Sequence, residues 1–109
     1  MEFRDAGYVQ KNGDHLIFRI PHRGTYIVHL REVSGVLNRG ASAPVVAKSR
    51  SLEGEDQQCW FEAGRVRLSR SRKALLIHLE GSRYILATQS LGRLLSNSVS
   101  YAAIREMAP

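Results

Sequence analysis

Cysteine is almost missing from this chain: Cys59 is the single thiol in 109 residues. That excludes an internal disulfide framework and points to a reducing, cytoplasmic setting in which Cys59 is a spectator. No run of eighteen apolar residues occurs, so no helical membrane span is expected. The opening stretch MEFRDAGYVQ is acidic and polar where a secretory leader is basic and then apolar. Acidic side chains are also scarce, with Asp plus Glu 10 against Lys plus Arg 16 and a net charge of +6, a balance that favours polyanionic partners.

The spacings that mark familiar chemistries are absent too. Gly7, Gly13 and Gly24 do not form a phosphate-cradling loop leading into a helix, and no zinc-finger, helix-turn-helix or ribonucleoprotein aromatic pattern is present. Glu62 and Glu80 stand isolated, and no Ser-His-Asp or Cys-His spacing stands out. The expectation is a non-catalytic protein without cofactor or metal.

What is present is a patterned globular sequence. Hydrophobic residues make up 43%, enough for a real core in one domain of this length. The stretch Gly64–Thr88 organises the rest. Arg65, Arg67 and Ser69 alternate with Val66 and Leu68, which sets the arginines on one strand face and the aliphatics on the other. A basic turn, Ser69 to Lys73, follows. Leu75, Ile77 and Leu79 alternate again, and Glu80-Gly81 suits a two-residue hairpin with Leu79 opposite Ser82.

A similar series lies earlier in the chain, displaced by 57 to 59 positions. FRDAGYVQ answers WFEAGRVRLS, HLIFRI answers ALLIHL, TYIVHL answers RYILAT, REVSGVLN answers QSLGRLLSN, and APVVAK answers YAAIRE. Each series reads as three strands, a short helix and a strand. The turn signals Lys11–Asp14 and Pro21–Gly24 fix the first hairpins, with Ile20 opposite Gly24 and His15 opposite His29. The helices are carried by Val33, Val36 and Leu37, and by Leu91, Leu94 and Leu95. The predicted fold class is α+β, predominantly antiparallel β: two β-β-β-α-β repeats, 1–48 and 60–109, packed as one pseudo-two-fold domain. An acidic connector, 49–59, joins them as a solvated loop or a segment that folds over the basic face. This strand-rich layout with helices behind is loosely similar to Whirly and Pur-type single-stranded nucleic-acid-binding modules, from which it departs in having a strand after each helix.

Charge is unevenly placed. Residues 1–48 carry 7 basic and 4 acidic side chains, residues 49–59 carry 1 and 3, and residues 60–109 carry 8 and 3. Arg65, Arg67, Arg70, Arg72, Lys73 and Arg83 therefore form the expected nucleic-acid-binding array, because each guanidinium offers a planar fork of donors to phosphate. The target class is single-stranded or structured nucleic acid. Trp60 is the expected stacking residue, with Tyr8 and Tyr101 behind it, while Tyr26 and Tyr84 read as core. Arg83 beside His78 should disfavour protonation of that imidazole. His15 opposite His29 supplies two imidazoles without a third ligand, which is not a metal site. The sheet face opposite the core is unusually apolar, showing Ile17, Ile27, Leu76 and Ile85. The other repeat, or a second copy in a homodimer, is expected to cover it. A protein-interaction or scaffold module using that face is the alternative function.

Overall fold

In the computed structural model, which describes residues 2–49 and 59–107, alternation is answered by strands and i, i+3, i+4 spacing by helices. Strands β1 (Phe3–Asn12), β2 (His15–Ile20) and β3 (Gly24–His29) precede helix α1 (Leu30–Arg39) and strand β4 (Ala43–Ser49). Strands β5 (Cys59–Leu68), β6 (Ala74–Leu79) and β7 (Ser82–Ala87) precede helix α2 (Thr88–Leu95) and strand β8 (Ala102–Met107). The class is α+β with antiparallel strands predominating. The acidic connector, apart from its end residues Ser49 and Cys59, lies outside the described residues.

Each strand pairs with its sequence neighbour, and β8 returns to β1, so the sheet closes into an eight-stranded barrel. Turn chemistry sets the hairpin registers. Ile20 faces Gly24 and His15 faces His29, while Leu79 faces Ser82 across the Glu80-Gly81 turn. Gly13 (φ +59) and Gly81 (φ +80) supply the left-handed backbone that these turns need.

The barrel corrects one expectation. The two halves do not stack face to face. They join edge to edge, β4 on β5 and β8 on β1. Closing the sheet turns its apolar face inward and removes the open edges. Val9, Leu16, Phe18, Tyr26, Val28, Val45, Val66, Leu75, Ile77, Tyr84, Leu86 and Ile104 fill the interior. Ile17, Ile27, Leu76 and Ile85 stay on the outer wall, half-buried, and among the described residues the other half of the chain is not stacked over them.

All neighbouring strands are antiparallel, so β3 and β7 run the same way and both helices leave from one rim of the barrel. There α1 packs on β3, β4 and β5, and α2 packs on β1, β6, β7 and β8. Val33 and Val36 of α1, and Leu91 and Leu94 of α2, enter the same core as the strands. Neither helix would hold alone at this length, and the apolar stripe is what stabilises each of them.

Several details recur in both halves. A bulge interrupts β1 at Ala6 and β5 at Ala63. Beside each bulge a glycine lies against a carbonyl of the next strand, Gly7 on Arg19 and Gly64 on His78, leaving no room for a methyl group. The first helical amides are held alike, Leu30 N–H by the Asp14 carbonyl at 2.8 Å and Thr88 N–H by the Lys73 carbonyl at 2.9 Å. The helix C-termini are clasped across the rim by a cation from the opposite half. Arg72 Nη2 donates to the Leu37 carbonyl at 3.0 Å, and Lys11 Nζ donates to the Leu95 carbonyl at 3.3 Å. Carbonyls at a helix C-terminus lack intrahelical donors and carry partial negative charge, which is why a cation suits them.

Candidate nucleic-acid interface

Alternation along β5, β6 and β7 sends every second side chain outward, and pairing aligns those side chains in rows. Arg65, His78 and Arg83 form one row. Arg67, Leu76, Ile85 and Arg105 form the next, running from β5 to β8. The expected array is thus divided between wall and rim: Arg65, Arg67 and Arg83 stand on the wall, and Arg70, Arg72 and Lys73 stand in the rim turn that follows β5. Arg105 belongs to the wall as well. Alternation within AAIREM would have found it.

The members differ in how they are engaged. Arg65 donates from Nε and Nη2 to Ser42 Oγ at 3.1 and 2.9 Å, and its Nη1 pairs with Glu62 Oε1 at 2.8 Å. Both partners of that ion pair are half exposed, so water weakens the attraction and a phosphate can compete for the guanidinium. Arg72 adopts left-handed backbone (φ 62) and turns its side chain to α1, so part of its donor set serves the fold. Among the described residues, no hydrogen bond or ion pair engages the side chains of Arg67, Arg70, Lys73 or Arg83.

His78 lies among these arginines. Partial desolvation, reinforced by the Arg67 and Arg83 guanidiniums, holds its pKa below the ordinary 6.5. It is therefore neutral at pH 7, a donor and acceptor set between two fixed cations.

The aromatic residues are dispersed. Trp60 is 49% exposed on the outer wall of β5, and Phe61 is 42% exposed. Tyr8 and Tyr101 meet edge to face, with ring centroids 6.2 Å apart. Tyr26 and Tyr84 are core residues. The His15 and His29 rings lie 4.6 Å apart, and the buried His29 Nδ1 has no hydrogen-bond partner among the described residues. Among the described residues, no group of three or more His, Cys, Asp or Glu side chains is placed to hold a metal ion.

Two grooves open on the outer wall where a helix leaves the sheet. Strands β3 and β4 share only Tyr26↔Ala47 and Ile27↔Val46, and β7 and β8 only Tyr84↔Glu106 and Ile85↔Arg105. The first seam, of about 320 Å³, is lined by His15, His29, Arg31, Glu32 and Trp60 among others. The second, of about 590 Å³, has Lys73, Arg105, Ser69, Ser71, Ser90 and Phe3 in its lining. Phe3 and Trp60 sit at matching positions of β1 and β5. Compared with protein-family models, curated proteins and solved structures, the chain matches none of them.

Proposed function

We propose that this chain is a nucleic-acid-binding protein that contacts the phosphate backbone of single-stranded or structured nucleic acid through the outer wall and rim of its second half. Arg67 and Arg83 are the principal wall contacts, with Arg70 and Lys73 on the rim and Arg65 released from Glu62 as phosphate arrives. Arg72 contributes mainly by fixing the rim turn. The observation that carries this reading is geometric: the row Arg65–His78–Arg83 with Arg67 beside it gathers three guanidiniums on one outward patch of β5, β6 and β7. The fold is read as two copies of one β-β-β-α-β unit related by an approximate two-fold axis. Support comes from the paired bulges, glycines, helix-entry bonds and seams. The second copy has acquired the basic wall. The protein is non-catalytic and cytoplasmic on this reading.

A second reading is favoured by the apolar pairs Ile17–Ile27 and Leu76–Ile85, half-buried on the outside of the barrel. There the chain is an interaction or scaffold module, or a homodimer, joined through those residues. Salt separates the two, because phosphate neutralisation releases counterions and loses affinity steeply as salt rises, whereas apolar association does not. Fluorescence anisotropy with labelled single-stranded and duplex oligonucleotides at two salt concentrations tests this. Binding that weakens with salt supports the basic wall. Absence of binding at low salt overturns it and leaves the interaction module.

A further inference from the structure

The seam between β7 and β8 is the concave end of the basic row. Arg67, Leu76, Ile85 and Arg105 follow one another across four strands, a span of about 14 Å at ordinary strand spacing. Beyond Ile85 the two strands part and the groove opens, with a volume of about 590 Å³ that falls in the range of small-molecule sites. Its chemistry is divided. The floor is apolar, formed by Ile85 and neighbouring alanines, and Phe3 stands at its edge, 41% exposed. Lys73 and Arg105 supply two cations, and Ser69 and Ser71 supply hydroxyls from the rim turn. Among the described residues no carboxylate lines it. Asp5 stands 3.9 Å from Arg105 in an exposed pair too long to occupy the guanidinium. The first seam is smaller, about 320 Å³, and replaces this set with two imidazoles, Arg31 and Glu32.

We infer that the β7–β8 seam takes one nucleotide unit, its phosphate held by Lys73 and Arg105 and its base laid on Ile85 against the Phe3 ring. An anion and a planar apolar group on one small ligand match the two parts of the groove, and aromatic stacking accepts any base. The inference rests on the nucleic-acid reading for its source, a residue of a strand lying along the Arg67–Arg105 row. A free mononucleotide carries the same chemistry.

The test uses the full chain and two ligands, a labelled single-stranded oligonucleotide and adenosine 5′-monophosphate. Ala103→Glu places a carboxylate in the groove at an exposed position, and Thr25→Glu adds the same charge to the first half as a control. Circular dichroism establishes that both variants fold. Ala103→Glu is expected to weaken oligonucleotide binding about ten-fold and to abolish mononucleotide binding, with Thr25→Glu changing either by about two-fold or less. Equal losses in both variants would overturn the groove, since long-range charge would then explain them. Oligonucleotide affinity unchanged in Ala103→Glu but reduced in Arg67→Ala would also overturn the groove while leaving the basic wall standing. Mononucleotide binding sensitive to Ala103→Glu, without oligonucleotide binding, would keep the groove and remove the wall. Binding of neither ligand removes both. Inorganic phosphate competing as well as the mononucleotide would overturn the nucleotide class, because the base would then contribute nothing.

Discussion

Across the outer wall of the first half, Tyr8, Arg19 and Thr25 stand in one cross-strand row; the corresponding row of the second half is Arg65, His78 and Arg83. One row further toward the helices, Gln10, Ile17, Ile27 and Val46 correspond to Arg67, Leu76, Ile85 and Arg105. In the second pair of rows the centre is aliphatic in both halves, and in the first Arg19 is matched by His78; in both pairs the ends are neutral in the first half and cationic in the second. Inside, Tyr26 answers Tyr84, Leu16 answers Leu75, and Val28 answers Leu86, all buried. The difference separates two kinds of constraint. Positions that point inward are held by packing, in which a lost methylene is felt. Positions that point outward are free to take on charge without disturbing the frame.

The sharpest way to break this comparison is to strike the frame at matched points. Gly7→Ala and Gly64→Ala each drive a methyl group into a strand carbonyl, and each should cost about 2–3 kcal/mol in urea denaturation. A large loss in one half with little in the other would mean that the bulges are not equivalent. Next in size is the wall. Arg67→Ala with Arg83→Ala should weaken oligonucleotide binding about ten-fold and flatten the slope of log K against log salt by about 1.4 for a single strand. Arg19→Ala, on the first wall, should change affinity about two-fold or less. Comparable losses from both walls would erase the asymmetry.

The rim clasps offer a finer comparison. Arg72→Met and Lys11→Met each remove a cation from a helix carbonyl and should each cost about 0.5–1.5 kcal/mol in thermal melts. Additive losses in the double variant would show two separate clasps. The smallest effect is proton-linked. The folded pKa of His78 lies below 6.5, so between the two values the unfolded chain binds a proton that the folded chain refuses. The stability contributed by His78 is therefore complete above pH 6.5 and is lost as pH falls through the folded value. His78→Gln should flatten this part of the melting profile. An oligonucleotide bound to the wall should raise the pKa of His78 again, which imidazole resonances followed by NMR against pH will register. A His78 titration unchanged by oligonucleotide would place the ligand elsewhere.

The parts of the fold readable in the sequence are those written in local turns. Ile20↔Gly24 and Leu79↔Ser82 follow from short loops whose length sets the register. Closure was not readable, because β1 meets β8 across the whole chain and no turn specifies that pairing. Strand alternation identified Ile17, Ile27, Leu76 and Ile85 as the second face, but it carries no information on whether a sheet curls away from that face or buries it. The site divides in the same way. The positions of Arg67 and Arg83 on an outward row, and the effect of Arg83 on His78, follow from period-2 spacing. The engagement of Arg65 by Ser42 and of Arg72 by Leu37 depends on residues 23 and 35 positions away, brought near by the barrel. Phe3 is the groove residue that alignment of the two halves could have found, since it occupies the place of Trp60.

The pairing of Phe3 with Met107 has a consequence for how the chain is made. During synthesis β1 leaves the ribosome before the other strands of the barrel, and β8, which shuts the wall, leaves after them. Until Ala102–Met107 emerges, β1 and β7 present bare backbone to solvent, open to any other extended segment nearby. Shutting the wall is therefore an event of high sequence separation that waits for β8, and the nascent barrel depends on receiving that strand before a neighbour takes its place.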